Sequence, residues 1–179
     1  MKELFRFGII LGVICLVATF VLALTYQVTK PKIDGQVRNE ELDALKMISP
    51  EADSFVEKSV GRIGYFEAFR GKKLKGYCLK VTANGYNGFI YIVAGIDLNG
   101  TITGVEILQH QETPGLGARI DEIKSGDKDP WFLRQFVGKS ANTIEVKKDI
   151  DAITGATISS KAVTDAIRKT VNEFFTMIK

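Results

Sequence analysis

From Phe7 to Thr29 the chain carries no charged residue. About 20 apolar residues are enough to cross the hydrocarbon core of a bilayer as one helix. This run divides the chain, because whatever folds in water must be built from the remainder. That remainder is roughly 140–150 residues, enough for one domain with its own core. Lys2 and Arg6 flank one end of the run, Lys30 and Lys32 the other, and Tyr26 is placed to anchor at the interface. A cleaved signal has a shorter apolar core, about 7–15 residues, followed by a small-residue cleavage site. No A-x-A site follows this run, and Cys15 is not preceded by a small residue as a lipidated cysteine is. The expected organisation is a tail and transmembrane anchor over 1–29, a helical connector over 30–60 and a soluble domain over 61–179. Flanking positive charge is nearly tied between the two ends. The simple topology, with a short tail inside and the domain on the extracytoplasmic side of the cell (inner) membrane, is the expected one.

Composition excludes several classes. The net charge is only +3, without a basic stripe interleaved with aromatics, so nucleic acid is not an expected partner. The two cysteines fall in different regions, Cys15 in the apolar run and Cys78 beyond it, which disfavours a disulfide within the domain. The single histidine, His110, has no ligand cluster around it, and no metal site is expected.

Lys30-Pro31-Lys32 predicts a helix break. Asn39 to Ile48 reads as a short helix ending near Ser49-Pro50, and Ser54 to Ser59 as a further helical turn. Strand-like segments follow at Arg62–Arg70, Gly76–Ala83, Phe89–Asp97 and Thr101–Gln109. An Asn-Gly hairpin turn, Asp97-Leu98-Asn99-Gly100, joins the last two. Gln111–Gly117 and Gly126–Pro130 read as loops, Ala118–Lys124 as a short helix, Trp131–Phe136 as an aromatic-rich element and Asn142–Val146 as one more strand. Ile158, Ala162, Val163, Ala166, Ile167, Val171, Phe174, Phe175 and Ile178 recur at helical spacing and predict a C-terminal amphipathic helix. The fold class is α+β, with a mostly antiparallel sheet and flanking helices.

The segment from Asp151 to Ser160 stands immediately before that helix. Free N–H groups and the positive end of the helix dipole suit an anion there. Gly155 permits close backbone approach, and Thr157, Ser159 and Ser160 add hydroxyls. On local physics alone, plain helix capping is the favoured explanation of the same residues. Upstream lie His110-Gln111-Glu112-Thr113-Pro114-Gly115-Leu116-Gly117 and Gly85-Tyr86-Asn87-Gly88.

Asp151-x-x-Thr154-Gly155-Ala156-Thr157 resembles the D-x-x-[ST]-G-A-T flavinylation motif of the FMN-binding domain family. His110 to Gly117 resembles that family's H-x-E-T-P-G-L-G loop, and Gly85 to Gly88 its G-Y-x-G segment. The family includes the G subunit of Rnf-type electron-transport complexes and the C subunit of sodium-pumping NADH:quinone reductase. The resemblance implies FMN joined by a phosphoester to Thr157, with Thr154, Gly155, Ala156 and Ser160 around the phosphate. It implies that Glu112, Thr113, Pro114, Gly115, Leu116 and Gly117 lie against the flavin, with Tyr86 a neighbour. Pro114 would stiffen the loop, and Gly115 and Gly117 would let backbone N–H groups reach the ring edge, with Leu116 over its face. A threonine hydroxyl needs an adjacent base to act as a nucleophile, and none is next to Thr157 in sequence. The resemblance therefore implies a separate flavin transferase that takes FMN from FAD, with Asp151 part of its recognition signal.

His110 stands equally between ending a strand and touching the flavin. Lys147 and Lys148 read as solvated charges before phosphate ligands, and Trp131 and Phe132 as core. No dinucleotide-binding G-x-G-x-x-G and no Fe–S cysteine set is present. The expected role is an electron relay among other membrane subunits of an Rnf-type ferredoxin:NAD complex. The alternatives are the corresponding component of the sodium-pumping reductase or another extracytoplasmic flavin shuttle and, in a different class, a membrane-tethered scaffold without flavin.

Overall fold

The computed structural model describes residues 2–124, 126–127 and 129–178. Ser125 and Lys128, the latter within the loop expected at Gly126–Pro130, lie outside the described residues. The chain divides into two compact units, Met1–Glu40 and Glu41–Lys179.

The first unit is helical throughout its described residues, the start of a helix α1 that spans Lys2–Ile48. Each of its described side chains is exposed, Phe7, Leu11, Leu16, Phe20 and Leu22 among them. An apolar surface of this length with no protein against it is what a bilayer covers, and the helix is long and apolar enough to cross one. Two of its three threonines satisfy themselves locally: Thr19 Oγ1 donates to Cys15 O at 2.8 Å and Thr25 Oγ1 to Val21 O at 2.9 Å. The break expected at Pro31 does not occur, and α1 continues through it. A proline removes one backbone donor and crowds one carbonyl. The strongly helical sequence from Val37 to Ile48 outlasts that local loss.

The second unit is organised by an antiparallel meander, β1 (Ser54–Val60), β2 (Ile63–Arg70), β3 (Lys73–Asn84), β4 (Phe89–Asp97) and β5 (Ile102–Gln109), in the order β1-β2-β3-β4-β5. The expected helical turn at Ser54–Ser59 is therefore an edge strand. It pairs with β2 from Ser54 opposite Phe69 to Val60 opposite Ile63. Gly61, at φ 57°, makes the two-residue turn that returns the chain. The Asp97–Gly100 turn joins β4 to β5 as expected, but with different geometry. Only Gly100 takes a positive φ (85°). Asp97 Oδ1 accepts from the N–H groups of Asn99 and Thr101, both at 2.8 Å, and shapes the turn instead.

Side chains alternate across a strand, and here both faces are buried. On one face Tyr65, Leu79, Val81, Ile90, Ile92, Ile96 and Ile102 form the main core with Phe132, Phe136 and the C-terminal helix α3 (Thr157–Met177). Val163, Ile167, Val171 and Phe174 are the fully buried apolar stripe of α3. The ring of Phe174 meets Tyr65 at 4.9 Å and Tyr77 at 5.0 Å, edge to face. On the other face Phe66, Ala68, Cys78 and Val93 pack with Leu45 and Ile48 of the last turns of α1. Burial pushes the Cys78 thiol up to about 11, so it stays a protonated apolar filler.

Trp131–Arg134 is the short helix α2, and Gly117–Asp121 is a 3-10 turn where a helix over Ala118–Lys124 was expected. Asn142–Val146 is not a strand; only the isolated bridge Val146–Ile150 forms there. The chain closes on itself instead: Asp149 Oδ2 accepts from Glu145 N at 3.0 Å while Asp149 N donates to Glu145 O at 2.9 Å. These local bonds leave the segment no free edge to pair with.

A Cβ on Gly104 would lie 2.7 Å from Ile48 Cα, so the end of α1 approaches the sheet through that glycine. Gly104→Ala is expected to destabilise the soluble unit by about 1–3 kcal/mol, an overpacking cost. Thermal unfolding followed by circular dichroism checks it, and an unchanged midpoint contradicts this packing.

Candidate functional site

Three segments meet beside the start of α3 and enclose a cavity of about 420 Å³. That is within the range of small-molecule sites, about 300–1,000 Å³. The β3–β4 turn contributes Tyr86. The loop after β5 contributes Glu112, Thr113, Leu116 and Gly117. The approach to α3 contributes Gly155, Ala156, Thr157, Ile158 and Ser159.

Each segment takes its shape from local chemistry. Thr113-Pro114-Gly115-Leu116 is a turn closed by Leu116 N to Thr113 O at 3.1 Å, with Gly115 at φ 75°, which a type II turn requires. It presents Leu116, about half exposed, toward the approach to α3. Gly155 lies at φ 80°, and a Cβ there would lie 3.2 Å from Leu116 Cδ2. A side chain at 155 is therefore opposed by backbone conformation, and Leu116 would have to shift slightly to admit it. Tyr86 (70% exposed), Leu116 and Ile158 give the cavity an apolar rim.

The hydroxyls at the start of α3 do not cap it. The residue before the helix is Ala156, and no side chain makes a capping hydrogen bond. Thr157 is the first helical residue and is exposed to the cavity. The first backbone N–H groups of a helix have no intrahelical partner, so those of Thr157, Ile158 and Ser159 are offered without a cap. Among the described residues the lining holds no lysine or arginine, and its one charged residue is a carboxylate, Glu112. The donor set is thus backbone N–H and hydroxyl with an apolar rim. It suits a phosphate ester carrying an aromatic ring, and FMN is such a molecule.

The structure separates the sequence-predicted residues. Thr157, Gly155, Ala156, Glu112, Thr113, Leu116, Gly117 and Tyr86 line the cavity. Ser160 does not. Its side chain is turned into the core, where Oγ donates to Ala156 O at 2.9 Å and accepts from Ile153 N at 3.0 Å. Its role is to tie the loop before the helix to the first turn. Thr154, Pro114 and Gly115 are exposed and outside the lining. Gly117 is not spare room for a ring edge, because a Cβ there would collide with Glu112 Oε2.

His110 is also outside the lining. Its Nδ1 accepts from Glu112 N at 3.1 Å and its Nε2 meets Asp121 Oδ2 at 2.9 Å, so it braces the loop. Lys147 and Lys148 are exposed and outside the cavity, as solvated charges are. Phe132 is fully buried in the core and Trp131 packs against it.

Sequence reasoning missed the partner of Ser159 and two further contributors. Ser159, buried at 1% exposure, donates through Oγ to Glu112 Oε2 at 2.5 Å. Ile158 belongs to the apolar periodicity but is 57% exposed, at the cavity rim rather than in the core. Gln135 clamps the backbone of Asp151, accepting from its N–H at 2.8 Å and donating to its carbonyl at 3.3 Å. No local sequence signal announces a side-chain amide that reaches a backbone 16 residues away.

Comparison with known proteins bears on this arrangement. Residues 85–172 match the FMN-binding domain family, and residues 1–48 match the family described as the RnfG N-terminal region. The chain is 34% identical to the G subunit of the Na(+)-translocating ferredoxin:NAD(+) oxidoreductase complex of Acetobacterium woodii, across 99% of this chain and 95% of that one. It is 31% identical to the proton-translocating counterpart of Clostridium ljungdahlii, across 93% and 89%. Among solved structures, the C subunit of the Na(+)-translocating NADH-quinone reductase of Parabacteroides distasonis superposes with a TM-score of 0.52 at 25% identity, covering 65% of this chain and 63% of that one. The likeness to the two ferredoxin:NAD(+) oxidoreductase proteins runs through both the apolar helix and the cavity-bearing unit, and on that ground the chain belongs to the RnfG family, the G subunits of Rnf-type ion-translocating oxidoreductase complexes.

Proposed function

We propose that this chain is the flavin-bearing electron relay of a membrane-bound ferredoxin:NAD oxidoreductase complex, with FMN esterified to Thr157. The observation that carries the reading is the uncapped start of α3, with Thr157 exposed at its first position and facing the cavity. Attachment joins Thr157 Oγ1 to the phosphorus of the flavin's phosphate. With FAD as donor the phosphoanhydride bond breaks, AMP leaves, and the hydroxyl proton passes to a base on the transferase. Among the described cavity-lining residues none is a histidine or a lysine, and the one carboxylate, Glu112, is engaged by three donors, which supports a base supplied from outside. Bound FMN supplies the capacity to accept electrons and pass them on.

The chain's own residues do the rest. The α3 N–H groups orient the phosphate, while Leu116, Tyr86 and Ile158 cover apolar ring surface. Asp151 is exposed, with its backbone clamped by Gln135, and serves as part of the transferase's recognition signal. Among the described lining residues none is a cation, and the ester bond is what retains the flavin. The N-terminal helix then keeps the flavin near its redox partners, the other membrane subunits, at high effective concentration.

Intact-mass measurement of the native protein is expected to show an added FMN less one water, and Thr157→Val to remove that mass. Because Thr157 makes no capping bond, the valine variant keeps the thermal stability of the unmodified chain to within about 0.5 kcal/mol, as a surface substitution does. A fluorescent band on denaturing gels that persists in Thr157→Val contradicts the assignment, and no band from protein made with the transferase favours a flavin-free scaffold. For topology, the soluble unit is proposed to lie on the extracytoplasmic side. Protease added to intact cells is expected to remove it, and full protection places it inside.

A further inference from the structure

Glu112 is the one buried carboxylate among the described residues, at 5% exposure. Burying such a group is costly unless its hydrogen bonds are met. Here its two oxygens reach two separate segments, the β3–β4 turn and the start of α3. Oε1 accepts from the backbone N–H of Tyr86 at 2.8 Å and of Asn87 at 3.1 Å. Oε2 accepts from Ser159 Oγ at 2.5 Å, on the first turn of α3. The backbone N–H of Glu112 itself donates to His110 Nδ1 at 3.1 Å, which fixes the root of the side chain.

The two glycines nearest the carboxylate fit the same arrangement. A Cβ on Gly85 would collide with Oε1 and a Cβ on Gly117 with Oε2. Neither has the positive φ that would otherwise call for glycine. They are glycines because the carboxylate occupies the space a side chain would need. Two loops that are far apart in sequence are thus both shaped around one side chain.

We propose that Glu112 is a positioning residue: it spans the gap between the β3–β4 turn and the start of α3 and sets the separation at which Tyr86 and Thr157 face each other across the cavity. It acts through Tyr86, Asn87 and Ser159, not on the flavin. Its reach matters, and its charge does not. Glutamine has the same length; its carbonyl oxygen accepts both backbone N–H groups and its NH2 group meets Ser159 Oγ, a hydroxyl that also accepts. Aspartate keeps the charge but is one methylene shorter, and cannot hold both sides at once.

Glu112→Gln and Glu112→Asp therefore separate positioning from charge. The first measurement is hydrogen exchange by mass spectrometry on the full-length chain in detergent, made without a flavin transferase. Tyr86 and Asn87 amides in Glu112→Gln are expected to exchange as in the unmodified sequence, and in Glu112→Asp about tenfold faster, the loss of roughly one buried hydrogen bond. Gly117→Ala, which displaces Oε2, is expected to speed exchange at the same two amides although they lie in another loop; it decides the matter should Glu112→Asp not fold. Slow exchange in Glu112→Asp with fast exchange in Glu112→Gln overturns the proposal in favour of a charge role. Unchanged exchange in Glu112→Asp and Gly117→Ala overturns it altogether.

The second measurement, the initial rate of flavin transfer from FAD by purified transferase, rests on the reading of Thr157 as the flavin carrier. Glu112→Gln is expected to stay within about threefold of the parent and Glu112→Asp to fall by about tenfold or more; the reverse order again overturns positioning. If the parent chain takes up no flavin, the reading of Thr157 fails, and the exchange measurement still decides the role of Glu112.

Discussion

The soluble unit depends on a sheet that is buried on both faces. Alternation along each strand sends Tyr65, Leu79, Val81 and Ile92 to one side and Phe66, Cys78 and Val93 to the other. One side is closed by α3, the other by the last turns of α1. Burial of this kind is the main favourable term in folding. It needs close approach, which glycines at 95 and 104 permit where the strands meet Ile48. The residues that end the long helix are therefore part of the domain core and not a linker leading to it.

That sheet fixes where α3 begins, and so where the cavity lies. With the buried stripe from Val163 to Phe174 seated on the strands, the first turn is held against the β3–β4 turn and the loop after β5. The uncapped N–H groups and Thr157 then face a space rather than solvent at large. The electrostatics of that space are set by backbone and hydroxyl donors and one carboxylate. Among the described lining residues donors are present and cations are not, and the one charged group is a carboxylate engaged by three donors. Backbone N–H groups at a helix start are suited to orienting an anion.

Much of this was legible along the chain. The anchor, four of the five strands, the terminal helix and both cavity loops follow from local signals: an uncharged run, period-two alternation, helical periodicity and glycine-containing motifs. The misreadings have definite causes. Ser54–Val60 has no buried alternation because it is an edge strand, exposed on most of its residues. Pro31 carries a local penalty that a long helix absorbs. Ser160 and Ser159 are adjacent hydroxyls, and only the rotation of α3 on the sheet sends one to Ala156 and Ile153 and the other to Glu112. Ile158 fits the apolar period yet lies one turn beyond the sheet's cover.

By itself, then, the sequence determined what could be specified within a few residues: that an apolar helix precedes an α+β domain, and that Thr157 opens a helix after a glycine-bearing turn. The tertiary structure decided which way the groups point. It turned Glu112 inward to bind two distant segments, drew Gln135 onto Asp151, excluded Ser160 and His110 from the cavity and left the first turn of α3 without a cap. Direction is settled only when the sheet, α3 and the loops compete for the same volume, and no short stretch of sequence contains that competition.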